Sequence, residues 1–142
     1  MKVKTRYFGE IEVGEEKIIL FPWGIPGFEH LKRFLLLEEK TFFWLQSVDD
    51  EGVVFAVCDP FLYFPGYEVE IPSVECEVLG LSKESDAVIL AIMNFKSPRE
   101  IGVNLLAPLV INWRLRMGKQ VILEDTRYEL CHLLTLEKTA TG

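Results

Sequence analysis

Residues 109–125, LVINWRLRMGKQVILED, decide the fold class. Leu109, Ile111 and Trp113 fall on one side of an extended chain and Val110, Asn112 and Arg114 on the other, the period of a β-strand. Met117, Gly118 and Lys119 then read as a turn into QVILED. The same period recurs along the chain. In GEIEV, Ile11 and Val13 oppose Glu10 and Glu12, and Gly14, Glu15 and Glu16 punctuate before the short KIIL strand. VVFAVCD (53–59) is an apolar run bounded by Asp50-Glu51-Gly52 and by Asp59-Pro60. VECEVLGLS (74–82) sets Val74, Cys76 and Val78 against Glu75 and Glu77, and DAVILAIMNF (86–95) continues the pattern. Only FEHLKRF (28–34) and VNLLAPL (103–109) offer a helical turn or two, and Pro108 ends the second. The pattern predicts an all-β protein, a small closed or split β-barrel of short antiparallel strands with at most one or two short helical turns. A single domain over 1–142 is expected, with a frayed tail at about 136–142 (LEKTATG).

FPWGIPGFE (21–29) packs two glycines, two prolines and three aromatics between a strand and a possible helix. That is the setting of a phosphate cradle, but the chemistry does not follow. No Gly-Lys-Ser/Thr opens a helix here, no third glycine stands at dinucleotide spacing, and Pro26 lacks a backbone N–H. A rigid structural turn is the better reading, with Gly24 and Gly27 supplying positive φ and Pro26 fixing the chain between them.

Fifteen basic residues against 22 acidic ones give a net charge of −7. Direct nucleic-acid binding needs clustered cations, so this balance argues against it and suits a basic protein partner. No apolar stretch at the N-terminus reads as a secretory signal. The longest uncharged run, Ile101 to Trp113, is 13 residues, too short for a membrane span. A cytoplasmic protein without membrane contact is expected. Cys58, Cys76 and Cys131 are far apart, form no Cys-x-x-Cys pair and sit among apolar residues, so they read as buried free thiols.

Catalysis needs a nucleophile, an acid/base group or a metal in mutual reach, and none is legible. His30 follows the Gly-Pro turn and reads as solvated. His132 adjoins Cys131, but strand neighbours point to opposite faces. Asp49-Asp50-Glu51 is a charged turn, and Arg114, Arg116 and Lys119, the one basic cluster, could bind an anion but equally decorate a hairpin. Glu68 with Glu70, and Glu75 with Glu77, should each share one exposed strand face, where they could steer a basic partner. No enzyme, metal or cofactor is expected. The rival is a split-barrel, flavin-binding oxidoreductase, for which no phosphate-binding set is present.

DPFLYFPGYE (59–68) carries Phe61, Tyr63, Phe64 and Tyr67 on a segment that Pro60, Pro65 and Gly66 make loop-like. Aromatics on an irregular segment suit a protein interface, and Pro65-Gly66 should turn Phe64 and Tyr67 outward. The alternative is that they plug one end of the barrel.

In order along the chain, FPWGIPGFE (21–29), FFWLQSV (42–48), FAVCDPF (55–61), YFPGYE (63–68), VNLLAPLVIN (103–112) and GKQVILED (118–125), followed by Tyr128, resemble the FliW family of bacterial flagellar assembly factors. The segment Leu130-Cys131-His132 departs from the family pattern, which often has a basic residue soon after the aromatic at Tyr128. The resemblance implies a non-enzymatic β-barrel that acts as a flagellin chaperone. It also implies binding and antagonism of the RNA-binding translational repressor CsrA, with free flagellin competing. On that basis the 21–29 segment is the fold's first corner, and Trp23 or Phe28 could reach a partner.

Overall fold

The structure, a computed structural model, describes residues 1–82 and 86–135; the tail at 136–142 lies outside them. Eleven strands follow in order: β1 (Lys2–Thr5), β2 (Gly9–Glu12), β3 (Ile19–Leu20), β4 (Arg33–Glu38), β5 (Phe43–Ser47), β6 (Val54–Cys58), β7 (Ala87–Ser97), β8 (Glu100–Val103), β9 (Leu109–Asn112), β10 (Met117–Gln120) and β11 (His132–Thr135). Two short helices, α1 (Pro60–Tyr63) and α2 (Ser73–Leu79), separate β6 from β7, and a 3-10 turn (Glu15–Lys17) precedes β3. The hydrogen bonds run β7-β6-β5-β4-β3-β10-β9 and return from β9 to β7, closing an all-β barrel. β7 makes this possible by its length. Its first residues, Ala87–Leu90, pair with β9, Ala91–Met93 pair with β6, and the remainder pairs with β8 outside the ring, where β11 adds to β8. All pairings are antiparallel except β3 with β10, which meet in parallel at Leu20 and Met117. The β1–β2 hairpin stands apart, tied to the barrel by Gln46, which is buried. Its Oε1 accepts from Arg6 N at 3.0 Å and its Nε2 reaches three backbone carbonyls.

Alternation divides the core in two. Phe34, Leu45, Val57, Leu90, Leu109 and Ile111 point into the barrel. Their strand neighbours, such as Ala56, Cys58, Ala91 and Val110, point outward beneath α2 and the β8–β11 extension, with Tyr67, Leu79 and Leu105. Phe21 and Phe34 are both fully buried and meet edge to face at 5.4 Å. Each buries about 1.5–3 kcal/mol of apolar transfer free energy.

The FPWGIPGFE segment stoppers one end of the barrel. Phe21 and Ile25 are buried, Phe28 packs edge to face on Phe55 at 5.3 Å, and Phe28 N donates to Ile25 O at 2.6 Å. Gly24 and Gly27 take φ of 68° and 90°, as the turn reading requires. A Cβ at Gly27 meets nothing within 4 Å, so Gly27→Val should cost only backbone strain, about 1–3 kcal/mol. A thermal melt measures it, and an unchanged Tm would make the turn more permissive than its dihedrals imply.

Four local expectations are corrected. VECEVLGLS is mostly the helix α2, not a strand: a five-residue alternation is too short to outweigh the punctuation on either side of it, which decides. Pro72 sits at the N-cap, and Gly80 (φ 67°) ends the helix with Leu81 N donating to Cys76 O at 2.8 Å, a Schellman closure. FEHLKRF and VNLLAPL form no helix; β4 begins at Arg33, and residues 104–108 are irregular. The chain reverses at Trp113–Arg116, with Arg116 at φ 55°, and not at Met117–Lys119. Gly118 lies within β10, where its missing Cβ makes room for the Phe21 ring, which would sit 2.8 Å from a Cβ there. Among the cysteines, Cys58 is buried as expected, whereas Cys76 is half-buried and Cys131, just before the outlying β11, is exposed.

Candidate functional site

The aromatic segment is locally stapled. β6 delivers Asp59, whose carboxylate caps α1 by accepting from Phe61 N at 3.0 Å, with Pro60 at the first helical position. Tyr63 Oη donates to Thr41 O at 2.6 Å. Phe64, half-buried, lies 6.2 Å edge-on to His132. Tyr67 is only 4% exposed, its Oη donates to Leu105 O at 2.7 Å, and it stacks edge to face on Tyr128 at 4.8 Å. Burial, reinforced by Tyr128, pushes its phenol well above the usual tyrosine range. The expected outward turn of Phe64 and Tyr67 is therefore wrong. Pro65-Gly66 folds the chain back onto the β7–β8–β11 side, and a buried phenol with a carbonyl partner is more stable than an exposed ring. Phe61 is exposed (41%), and so is Leu62 (72%), which an aromatic search passes over.

The paired carboxylates separate. Glu68 and Glu70 are exposed on an irregular segment rather than a strand. They line a cleft of about 380 Å³ with Glu124, Asp125 and Arg127. Arg127 binds Asp125 at 2.6 Å and approaches Glu68 at 3.7 Å, and its guanidinium holds the Asp125 carboxyl below the usual range. Four carboxylates thus share one cleft with one guanidinium, which contacts Asp125 and Glu68. Glu124 and Asp125 were missed because LED reads as strand continuation, although β10 ends at Gln120. Glu75 and Glu77 do not share a face: two residues along a helix they stand about 200° apart. Glu75 is tied to Lys119 by an ion pair at 2.6 Å, while Glu77 stays exposed.

Elsewhere His30 is solvent-exposed, and His132 Nε2 accepts from Glu129 N at 2.8 Å. Burial, with Asp59 nearby, pushes the Cys58 thiol up to about 12, so it stays protonated. Among the described residues no group of three or more His, Cys, Asp or Glu could hold a metal ion. No helix among them is long and apolar enough to cross a membrane. Trp23, 47% exposed, lies 5.2 Å from the Lys119 ammonium, and Phe28 is half-buried.

A closed barrel stoppered at one end, with exposed aromatic and acidic surfaces, defines a small β-barrel protein. A family model described as FliW protein matches residues 2–134. The flagellar assembly factor FliW of Geobacillus kaustophilus (strain HTA426) is 43% identical over 143 residues, 99% of each chain. Its counterpart in Moorella thermoacetica (strain ATCC 39073 / JCM 9320) is 40% identical over 142 residues, 96% of this chain and 90% of its own. A crystal structure of the flagellar assembly factor FliW, 40% identical, matches with a TM-score of 0.87 over 93% of this chain and 95% of that one. The chain belongs to the FliW family. These relatives lend no support to the flavin-binding alternative.

Proposed function

We propose that this chain is a non-enzymatic cytoplasmic assembly factor of one domain that binds newly made flagellin and antagonises CsrA. While flagellin waits for export it occupies the chain, and CsrA is free to repress. Export releases the chain, which then captures CsrA and restores flagellin translation. The observation that carries this reading is the match to named flagellar assembly factors over nearly the whole chain. Size-exclusion chromatography of the chain mixed with monomeric flagellin, and separately with CsrA, tests it. Each mixture should co-elute as a complex, and no complex with either partner would sink the proposal.

The two surfaces suit different partners. The acidic cleft at Glu68, Glu70, Glu124 and Asp125 offers charge complementarity to a basic protein such as CsrA. Association with CsrA should then slow as salt rises, with dissociation less affected, and Glu68→Lys combined with Glu70→Lys should flatten that dependence. A salt-insensitive on-rate in stopped flow would reduce the −7 charge to a solubility feature.

The exposed tip of α1 suits the apolar face of a flagellin terminal helix. Of the four aromatics, Phe61 alone is well exposed, and it is joined by Leu62. Truncating both to alanine should weaken flagellin binding about thirtyfold, about 2 kcal/mol, with Tm retained. Wild-type affinity in calorimetry would move the flagellin site off α1.

A further inference from the structure

The barrel end opposite the FPWGIPGFE stopper is open. The strand register brings to this end the last residues of β4 and β6, the first of β3, β5, β7 and β10, and the β9–β10 turn. Inward-facing Ile19, Leu36, Phe43, Val88 and Leu90 line a cavity of about 620 Å³ there, with Phe61 and Trp113 at its lip. Barrel mouths of this size and apolar lining are common binding sites. The rim is charged, and the charges are segregated. Lys17 and Arg116 stand before the neighbouring strands β3 and β10, whereas Glu38 ends β4 and Asp59 follows β6. Among the described residues none of the four belongs to an ion pair within 4.0 Å. The Arg116 guanidinium is held instead over the Trp113 ring at 3.7 Å, on a backbone at φ 55°.

A second depression, about 250 Å³, adjoins the mouth and shares Arg116 with it. Met1, Ile18, Leu20 and Leu115 supply its apolar wall, Glu15 and Arg33 also line it, and Leu20 and Leu115 are about half exposed. Two apolar depressions in a row, with a cation between them, call for a ligand with two apolar anchors and an intervening carboxylate. A compact small molecule would fill the first depression and leave the second bare. An amphipathic helix presents apolar anchors on successive turns with charges along their flank.

We propose that the barrel mouth and the depression beside it seat an amphipathic helical segment of a partner protein. One large apolar side chain enters the mouth beside Phe61 and Trp113, and another lies on Leu20 and Leu115. An acidic residue between them meets Arg116 and Lys17, while basic residues face Glu38 and Asp59. The inference rests on the reading of the chain as a flagellin-binding protein, and flagellin is the partner it assigns to this site.

Calorimetric titration of purified monomeric flagellin into the wild-type chain and three variants, each with a thermal melt, tests it. Val88→Phe fills the mouth. Leu20→Glu and Lys17→Glu alter exposed positions of the second depression and the rim, so they keep the test valid if Val88→Phe melts early. Leu20→Glu should weaken flagellin binding at least thirtyfold and Lys17→Glu about fivefold, with Tm retained, and Val88→Phe should abolish binding. Wild-type affinity in Leu20→Glu and Lys17→Glu, with flagellin still bound by the wild-type chain, would overturn the mouth and leave the proposed function standing. Absence of binding by the wild-type chain would overturn both. Self-association of the wild-type chain that Leu20→Glu abolishes while flagellin binding persists would assign the mouth to a second copy, against the proposal.

Discussion

Gly24→Val is expected to destabilise the protein by about 3 kcal/mol and to lower Tm by about 10 °C. Two costs act together at this position. Gly24 takes φ 68°, where a β-branched residue is strained, and a Cβ there would lie 2.5 Å from Glu29 Cα and 2.7 Å from Glu29 O. The clash is with backbone, so no side-chain rotation relieves it. Relief requires moving the 24–29 loop, which carries Ile25 and Phe28 into the barrel end. Gly27→Val, strained but unobstructed, is the control, and Gly24→Val should melt clearly lower. Equal melting of the two variants would show that the close approach to Glu29 is not a constraint.

Tyr67→Ala should cost about 3–5 kcal/mol, the usual range for removing a buried aromatic, and should be read as a folding variant rather than a binding one. It removes the ring that Phe61 and Tyr128 pack against, at 5.4 and 4.8 Å, and leaves Leu105 O without its phenol donor. Tyr67→Phe keeps the packing and loses only the hydrogen bond, about 1–2 kcal/mol. The phenol also sets a pH signature. Its folded pKa lies above the unfolded value of about 10, so its contribution is complete below pH 10 and is lost as pH rises toward the folded pKa. Urea denaturation across pH 9–11 should show wild-type stability falling faster than that of Tyr67→Phe. Parallel profiles, or a Tyr67→Ala variant that melts with the wild type, would mean that Tyr67 is not part of the core.

What the sequence made legible follows from the range of the interactions involved. VVFAVCD (53–59) and DAVILAIMNF (86–95) were readable as strands because burial on both faces, which holds for Val54–Cys58 and for the first part of Ala87–Ser97, demands long apolar runs, and the positive φ of Gly24 and Gly27 is a local demand that only glycine meets cheaply. Other features depend on residues distant in the chain. The burial of Tyr67 hinges on Leu105, 38 positions away, so the Pro65-Gly66 turn alone pointed the wrong way. Gly118 suggested a turn, but its missing Cβ makes room for Phe21, while the true reversal at Arg116 carries no glycine. The acidic cleft joins Glu68 and Glu70 to Glu124 and Asp125, and the barrel mouth joins strand ends from across the chain. Alternation of apolar and polar residues reports which face a residue takes, not which distant residues share its end of the barrel.

Displacement of one partner by the other is the decisive measurement. CsrA labelled with a fluorophore, bound to the chain and titrated with monomeric flagellin, should be released as flagellin binds and should regain its hold on a flagellin leader RNA. CsrA that stays bound at saturating flagellin, or that never binds the chain, would contradict the account.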